Sequence, residues 1–178
     1  MFTVALSSRS LFMLEEENRI FEEGGQEAFD RHMLETADKV LEPGAAYGLV
    51  RKLLALNGKG TVHHAERVRV VLLSRNSPEA GLRVMNSVHA RGLGIESAVF
   101  TRGGNRFAYA KAAKVDLFLC ASEKDVAAAM EMGIAAAVVV PSPGKHVEDI
   151  TLKLALDGDS VLFDGASAPV SPLIAALP

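Results

Sequence analysis

A chain of 178 residues, 49% hydrophobic and 23% charged, is a soluble globular protein with a sizeable core, long enough for one domain and short of two ordinary ones. Its net charge of −3 and lack of a basic block exclude a binder of nucleic-acid polymers, while leaving room for a small anion held by a few local cations. The single Cys120 rules out an intrachain disulfide, the apolar start stops at Leu6 before Arg9, and no run reaches membrane-spanning length, so a cytoplasmic location without membrane association is expected.

In chain order, Phe2 to Leu6 reads as a short buried strand, and Ser7-Ser-Arg-Ser10 as the turn after it. Leu11 to Glu23 and Gln26 to about Val40 read as helices separated by Gly24-Gly25, and Tyr47 to Leu56 as a third, closed by Asn57-Gly-Lys-Gly60. A regular alternation follows. Val68–Leu73, Ile95–Thr101, Val115–Cys120 and Ala135–Val140 read as strands. The helices between them run from Ser77-Pro78 to His89, from Phe107 to Ala113, and from Ser122 to Gly133, with Ser122 as cap and early acids suiting the helix dipole. Ile150, Leu152, Leu154 and Leu156 alternate with Thr151, Lys153 and Ala155, which predicts a partly covered strand running into Asp157-Gly-Asp159.

Strands separated by helices imply an α/β fold, a mostly parallel sheet with helices on both faces, and a helical insert after the first strand. The expected organisation is an α/β domain over 1–149 with the insert at about 11–60, a strand and turn over 150–163, and a loosely ordered tail over 164–178. Ligands of such sheets collect at the C-terminal strand ends, which selects Ser7 to Ser10, Ser74-Arg75-Asn76, Thr101 to Arg106, Cys120 to Ser122 and Asp157-Gly-Asp159.

Ser74, Arg75 and Asn76 end a strand just before a helix N-terminus, where backbone N–H groups and a hydroxyl can cradle phosphate. A plain helix cap with a surface arginine is the competing reading. Arg106 or Lys111 can supply a cation, against solvated basic residues beside a glycine turn. Cys120 has no His or Asp escort and reads as core; His63-His64 lacks spaced partner ligands and reads as surface; Glu15-Glu-Glu17 reads as a solvated helix start. Asp157 and Asp159 form a pair able to attack phosphorus, hold Mg²⁺ and exchange a proton, or else a polar turn.

As a set, several stretches resemble the cytosolic 5′-nucleotidase family of type I, within the haloacid-dehalogenase (HAD) superfamily. They are Val4-Ala-Leu-Ser-Ser-Arg-Ser-Leu-Phe12, Leu73-Ser-Arg-Asn-Ser-Pro78, Phe100-Thr-Arg-Gly-Gly-Asn105, Pro141-Ser-Pro143 and Leu156-Asp-Gly-Asp-Ser-Val-Leu-Phe163. The resemblance implies a HAD-like, Rossmannoid domain and Mg²⁺-dependent hydrolysis of nucleoside 5′-monophosphates through an aspartyl-phosphate. Asp157-Gly-Asp159-Ser-Val161 matches the superfamily's DxDx(T/V) motif, which makes Asp157 the nucleophile and Asp159 the acid/base, both at the metal; Ser74 matches its phosphate-binding hydroxyl. The order departs from the ordinary pattern, in which the DxD strand comes first: here the first strand ends in Ser7-Ser-Arg-Ser10, a degenerate first motif. Either residues of this first half serve Asp157, or the chain is a shortened, non-catalytic module that binds a nucleotide or a partner. The expected partners are a nucleoside 5′-monophosphate and a homo-oligomer or second half-domain.

Overall fold

The computed structural model describes residues 1–58, 67–141 and 150–155. Its sheet is built from β1 (Phe2–Leu6), β2 (Val68–Ser74), β3 (Ser97–Phe100), β4 (Leu117–Cys120) and β5 (Ala136–Val138). All pair in parallel, in the order β3-β2-β1-β4-β5, so the first strand lies at the centre. Both faces of the central strands are covered, which is why β2 reads as a nearly unbroken apolar run. Val4, Leu6, Val70, Leu72 and Leu119 pack on one side. Ala5, Val71, Leu73, Phe118 and Cys120 pack on the other. The α/β architecture with helices on both faces is therefore as the sequence predicts, and it is consistent with a HAD-like fold.

On the first face lies α4 (Pro78–Ala90), which contributes Ala80, Val84 and Val88 at four-residue spacing. The other face is covered by α5 (Phe107–Ala112) and α6 (Glu123–Glu131); Phe107 meets Phe118 edge-on at 5.2 Å. Among the described residues no helix is long and apolar enough to cross a membrane.

The insert between β1 and β2 holds α1 (Ser8–Leu11), α2 (Glu15–Glu35) and α3 (Tyr47–Ala55). The expected turn at Ser7–Ser10 is instead one helical turn, because Ser7 caps it by accepting from the Ser10 amide at 3.3 Å. Phe12 then leaves the helix to bridge Pro43, so the next helix starts at Glu15 rather than Leu11. Gly25 breaks α2 where the sequence predicts, with φ 72° and ψ −169°, a conformation open to glycine. The break is a reversal. Residues 17 and 32 of a straight helix would stand ~22 Å apart, yet Glu17 and His32 approach to 3.8 Å and the Phe21 and Phe29 rings to 6.0 Å. The two arms form a helical hairpin over the C-terminal edge of the sheet.

The base of the insert closes where residues 42–46 return past α1: Gly44 N–H donates to Leu11 C=O at 2.8 Å and Ala46 N–H to Ser10 C=O at 2.8 Å. A Cβ on Gly44 would come within 2.9 Å of the Ser10 oxygen and the Phe12 backbone, neither of which can rotate away. Gly44→Ala is expected to lower stability by about 1–3 kcal/mol. Gly94→Ala, whose methyl meets nothing within 4 Å, is expected to stay near wild type. Urea unfolding of the two variants checks the difference.

The strand expected over 150–156 does not form over the described residues 150–155, which are neither helix nor strand. Ile150 and Leu154, assigned to its covered face, are 58% and 74% exposed, so the face that would pay for a strand is not buried. Asp157, Asp159 and the expected tail lie outside the described residues, as does His63-His64.

Candidate active site

Parallel pairing brings the tips of β1, β2 and β4 to one edge, and the register sets Leu6 beside Leu72 and Leu119. The residues just beyond these tips therefore meet. Ser8 Oγ lies 2.9 Å from Ser74 Oγ, and both residues are 2% exposed. Asn76 closes the group twice: its backbone N–H donates to Ser74 Oγ at 3.1 Å and its side-chain amide to Ser8 Oγ at 3.2 Å. A second pair, Ser7 and Ser10, is joined at 2.8 Å, and Ser10 Oγ accepts from the Ala121 amide at 2.9 Å.

Beside the hydroxyls sits a charge cluster. Asp125 Oδ2 receives Arg106 Nη2 at 2.9 Å and Arg75 Nη2 at 3.4 Å. Arg106 is 3% exposed, its guanidinium lies over the Phe107 and Phe118 rings at 5.2 and 5.0 Å, and its Nε has no partner among the described residues. The Arg75 side chain is 56% exposed. Two guanidiniums against one carboxylate leave a net positive charge at the site, which suits an anion. Cys120 is buried at the end of β4, as its reading as core predicts, but it does have an acidic neighbour: its Sγ lies 3.8 Å from Asp125 Oδ2 and 3.5 Å from Ser7 Oγ.

These groups floor a cleft of about 1340 Å³ whose opposite wall is the helical hairpin and α3. Of the sequence-selected residues, Ser74, Arg75, Asn76 and Arg106 all line it. Lys111 does not: it is exposed in the last turn of α5. Arg102 is engaged elsewhere, with Glu79 at 2.5 Å and Asp30 at 3.6 Å, which ties the loop after β3 to the second arm of the hairpin. Glu79 sits in the first turn of α4; a hydrogen bond from its own backbone N–H, then Arg102, holds its carboxyl below the usual range. Ser77 caps α4 by accepting from Ala80 N–H at 3.2 Å and donates a short hydrogen bond to Asp30.

A family model described as 5′-nucleotidase matches residues 1–172. The chain belongs to the 5′-nucleotidase family. Human cytosolic 5′-nucleotidase 1B is 31% identical over 169 residues, which is 93% of this chain and 28% of the human protein. The chain thus spans little more than a quarter of the length of that relative. No solved structure gives a significant match.

Within this 5′-nucleotidase family member, two cleft residues are only partly legible in the sequence. Ser8 falls in the Ser7–Ser10 stretch selected at a strand tip, but only the β1–β2 register sets it against Ser74. Asp125 looks like a capping acid, and its backbone N–H does donate to Ser122 Oγ at 3.3 Å, but its carboxylate also gathers arginines from two other parts of the chain. The spacing from Ser122 to Asp125 is the local signal; the arginines give none. Among the described residues, no group of three His, Cys, Asp or Glu could hold a metal. The Asp125 carboxylate at the cleft floor is already committed to Arg106 and Arg75, so this part of the cleft fits a phosphate rather than a divalent cation.

Proposed function

We propose that this chain hydrolyses nucleoside 5′-monophosphates to nucleoside and phosphate. The observation that carries the reading is the buried Ser8–Ser74–Asn76 group beside a net positive arginine pair, in the same cleft that Lys153 lines. Asp157 follows Lys153 by four residues in the sequence and lies outside the described residues, so its part in the reading rests on the Asp157-Gly-Asp159 motif. Ser74 Oγ and the Asn76 amide are the donors for phosphoryl oxygens, with Arg75 as the accessible cation and Arg106 as the charge beneath.

In the proposed reaction an Asp157 carboxylate oxygen forms a bond to phosphorus as the bond to the 5′-oxygen breaks. Asp159 gives its proton to that leaving oxygen. Asp159 then takes a proton from water, whose oxygen displaces Asp157 and releases phosphate. Asp157 and Asp159 are the residues that would hold Mg²⁺, which would supply positive charge against the negative phosphoryl oxygens when bound. A cytoplasmic location belongs to the same proposal, and accords with the cytosolic name of the human relative and with the unpaired Cys120.

One observation favours a second reading, a nucleotide-binding module without turnover: the tip of the central strand carries Ser8 and Ser10, hydrogen-bonded to other hydroxyls, in place of carboxylates. Phosphate release from nucleoside monophosphates with Mg²⁺, with binding measured in parallel, separates the two. Hydrolysis predicts turnover that falls at least about a thousandfold in Asp157→Asn while binding persists. Turnover that survives the substitution removes Asp157 as nucleophile; binding without any turnover selects the module.

A further inference from the structure

Beyond the phosphate end, the cleft continues between the hairpin and α3, where no residue has yet been given a role. Phe21, on the first arm, lines this part and is 46% exposed. Its ring stands at 89° to that of Phe29 on the second arm, and Phe29 is 7% exposed. The buried ring anchors the pair. A perpendicular contact engages at most one face of Phe21, which leaves aromatic surface for a ligand. Met13, 52% exposed, and Gly48, which has no side chain, line the same cleft. Aromatic face, thioether and bare backbone make walls suited to a flat, apolar ring.

We infer that Phe21 is the stacking platform for the nucleobase of the nucleoside 5′-monophosphate. The inference rests on the proposed function for its ligand: the phosphate sits at the strand tips, and the base is the flat part of the same molecule. The nearby amides are tied up within the insert. Asn18 accepts from Arg9 at 3.1 Å and donates to Glu22 at 2.6 Å, and Gln26 donates to Asp30 at 2.8 Å. They brace the hairpin rather than read base edges. Stacking by itself accepts every base, since each has a π face.

The test is calorimetric binding of adenosine 5′-monophosphate, cytidine 5′-monophosphate and ribose 5-phosphate to the full chain, independent of turnover. Phe21→Ala is expected to weaken both nucleotides about tenfold and leave ribose 5-phosphate unchanged, and Phe21→Trp to restore the nucleotides. Phe21→Leu, which keeps apolar bulk without the π face, serves if the alanine variant is unstable, with the same expected loss. Equal losses for ribose 5-phosphate, unchanged nucleotide binding, or a wild type that binds nucleotides no better than ribose 5-phosphate overturns the inference. Failure of hydrolysis alone leaves these affinities, and so the stacking site, standing.

Discussion

Replacing Arg83 by Met is expected to lower the unfolding free energy by about 3–5 kcal/mol, the largest stability loss of any single substitution considered. Arg83 Nη1 pairs with Glu17 Oε1 at 2.7 Å, with the side chains 9% and 7% exposed, and Arg83 Nε donates to the Lys39 carbonyl at 3.0 Å. Met fills similar space but leaves the Glu17 carboxylate in the core without its guanidinium, the His32 imidazole standing 3.8 Å away. The cost is that of an uncompensated buried charge, since the attraction within a buried pair is largely offset by desolvation. Adding Glu17→Leu should therefore recover most of the loss, and urea unfolding of wild type, single and double variants measures it. A double variant as unstable as the single one would show that packing, not charge, holds this contact. The pair fastens the first arm of the hairpin to α4, so the single variant should also weaken nucleotide binding through Phe21.

Much of this fold is legible in the sequence, for reasons that differ element by element. β2 and β4 are covered on both faces, and their apolar runs say so. Ser77-Pro78 and Ser122 mark helix starts because capping is a local interaction. The reversal at Gly25 is only half legible: two glycines announce a break, but the angle is set by Phe29, Met33 and the Glu17–Arg83 pair, which are tertiary. The alternation from Ile150 to Leu156 misleads, because a pattern of period two forms a strand only where a sheet edge receives it, and residues 150–155 meet none. At the site, Ser74 and Asn76 are readable from their place between a strand and a helix. Ser8 is readable as part of the Ser7–Ser10 strand tip, but its pairing with Ser74 is not, nor is the Asp125 cluster, since those partners arrive from elsewhere in the chain through a sheet order that has no local signature.

Arg106→Met should weaken binding of phosphate and nucleotides roughly tenfold to a hundredfold, and Asp125→Asn in the same chain should largely reverse the loss. Arg106 is buried and holds Asp125 at 2.9 Å, while the half-exposed Arg75 reaches the same oxygen at 3.4 Å. With Arg106 present, one carboxylate is shared between two cations and the floor stays positive. Without it, Asp125 draws Arg75 to itself and the floor becomes neutral, so the phosphate loses both a charge and a donor. Neutralising Asp125 releases Arg75 and restores the net charge. Met keeps apolar contact with the Phe107 and Phe118 rings that Arg106 covers, so lost packing is not the main effect. Asp125→Asn alone should bind phosphate more tightly than wild type at low salt, and Lys111→Ala should change nothing, because Lys111 lies outside the cleft. Calorimetry with inorganic phosphate on the four variants decides the point. If the double variant binds as weakly as Arg106→Met, then Arg106 itself reaches the phosphate with its own N–H groups, and Arg75 is not the cation that the Asp125 carboxylate holds in check.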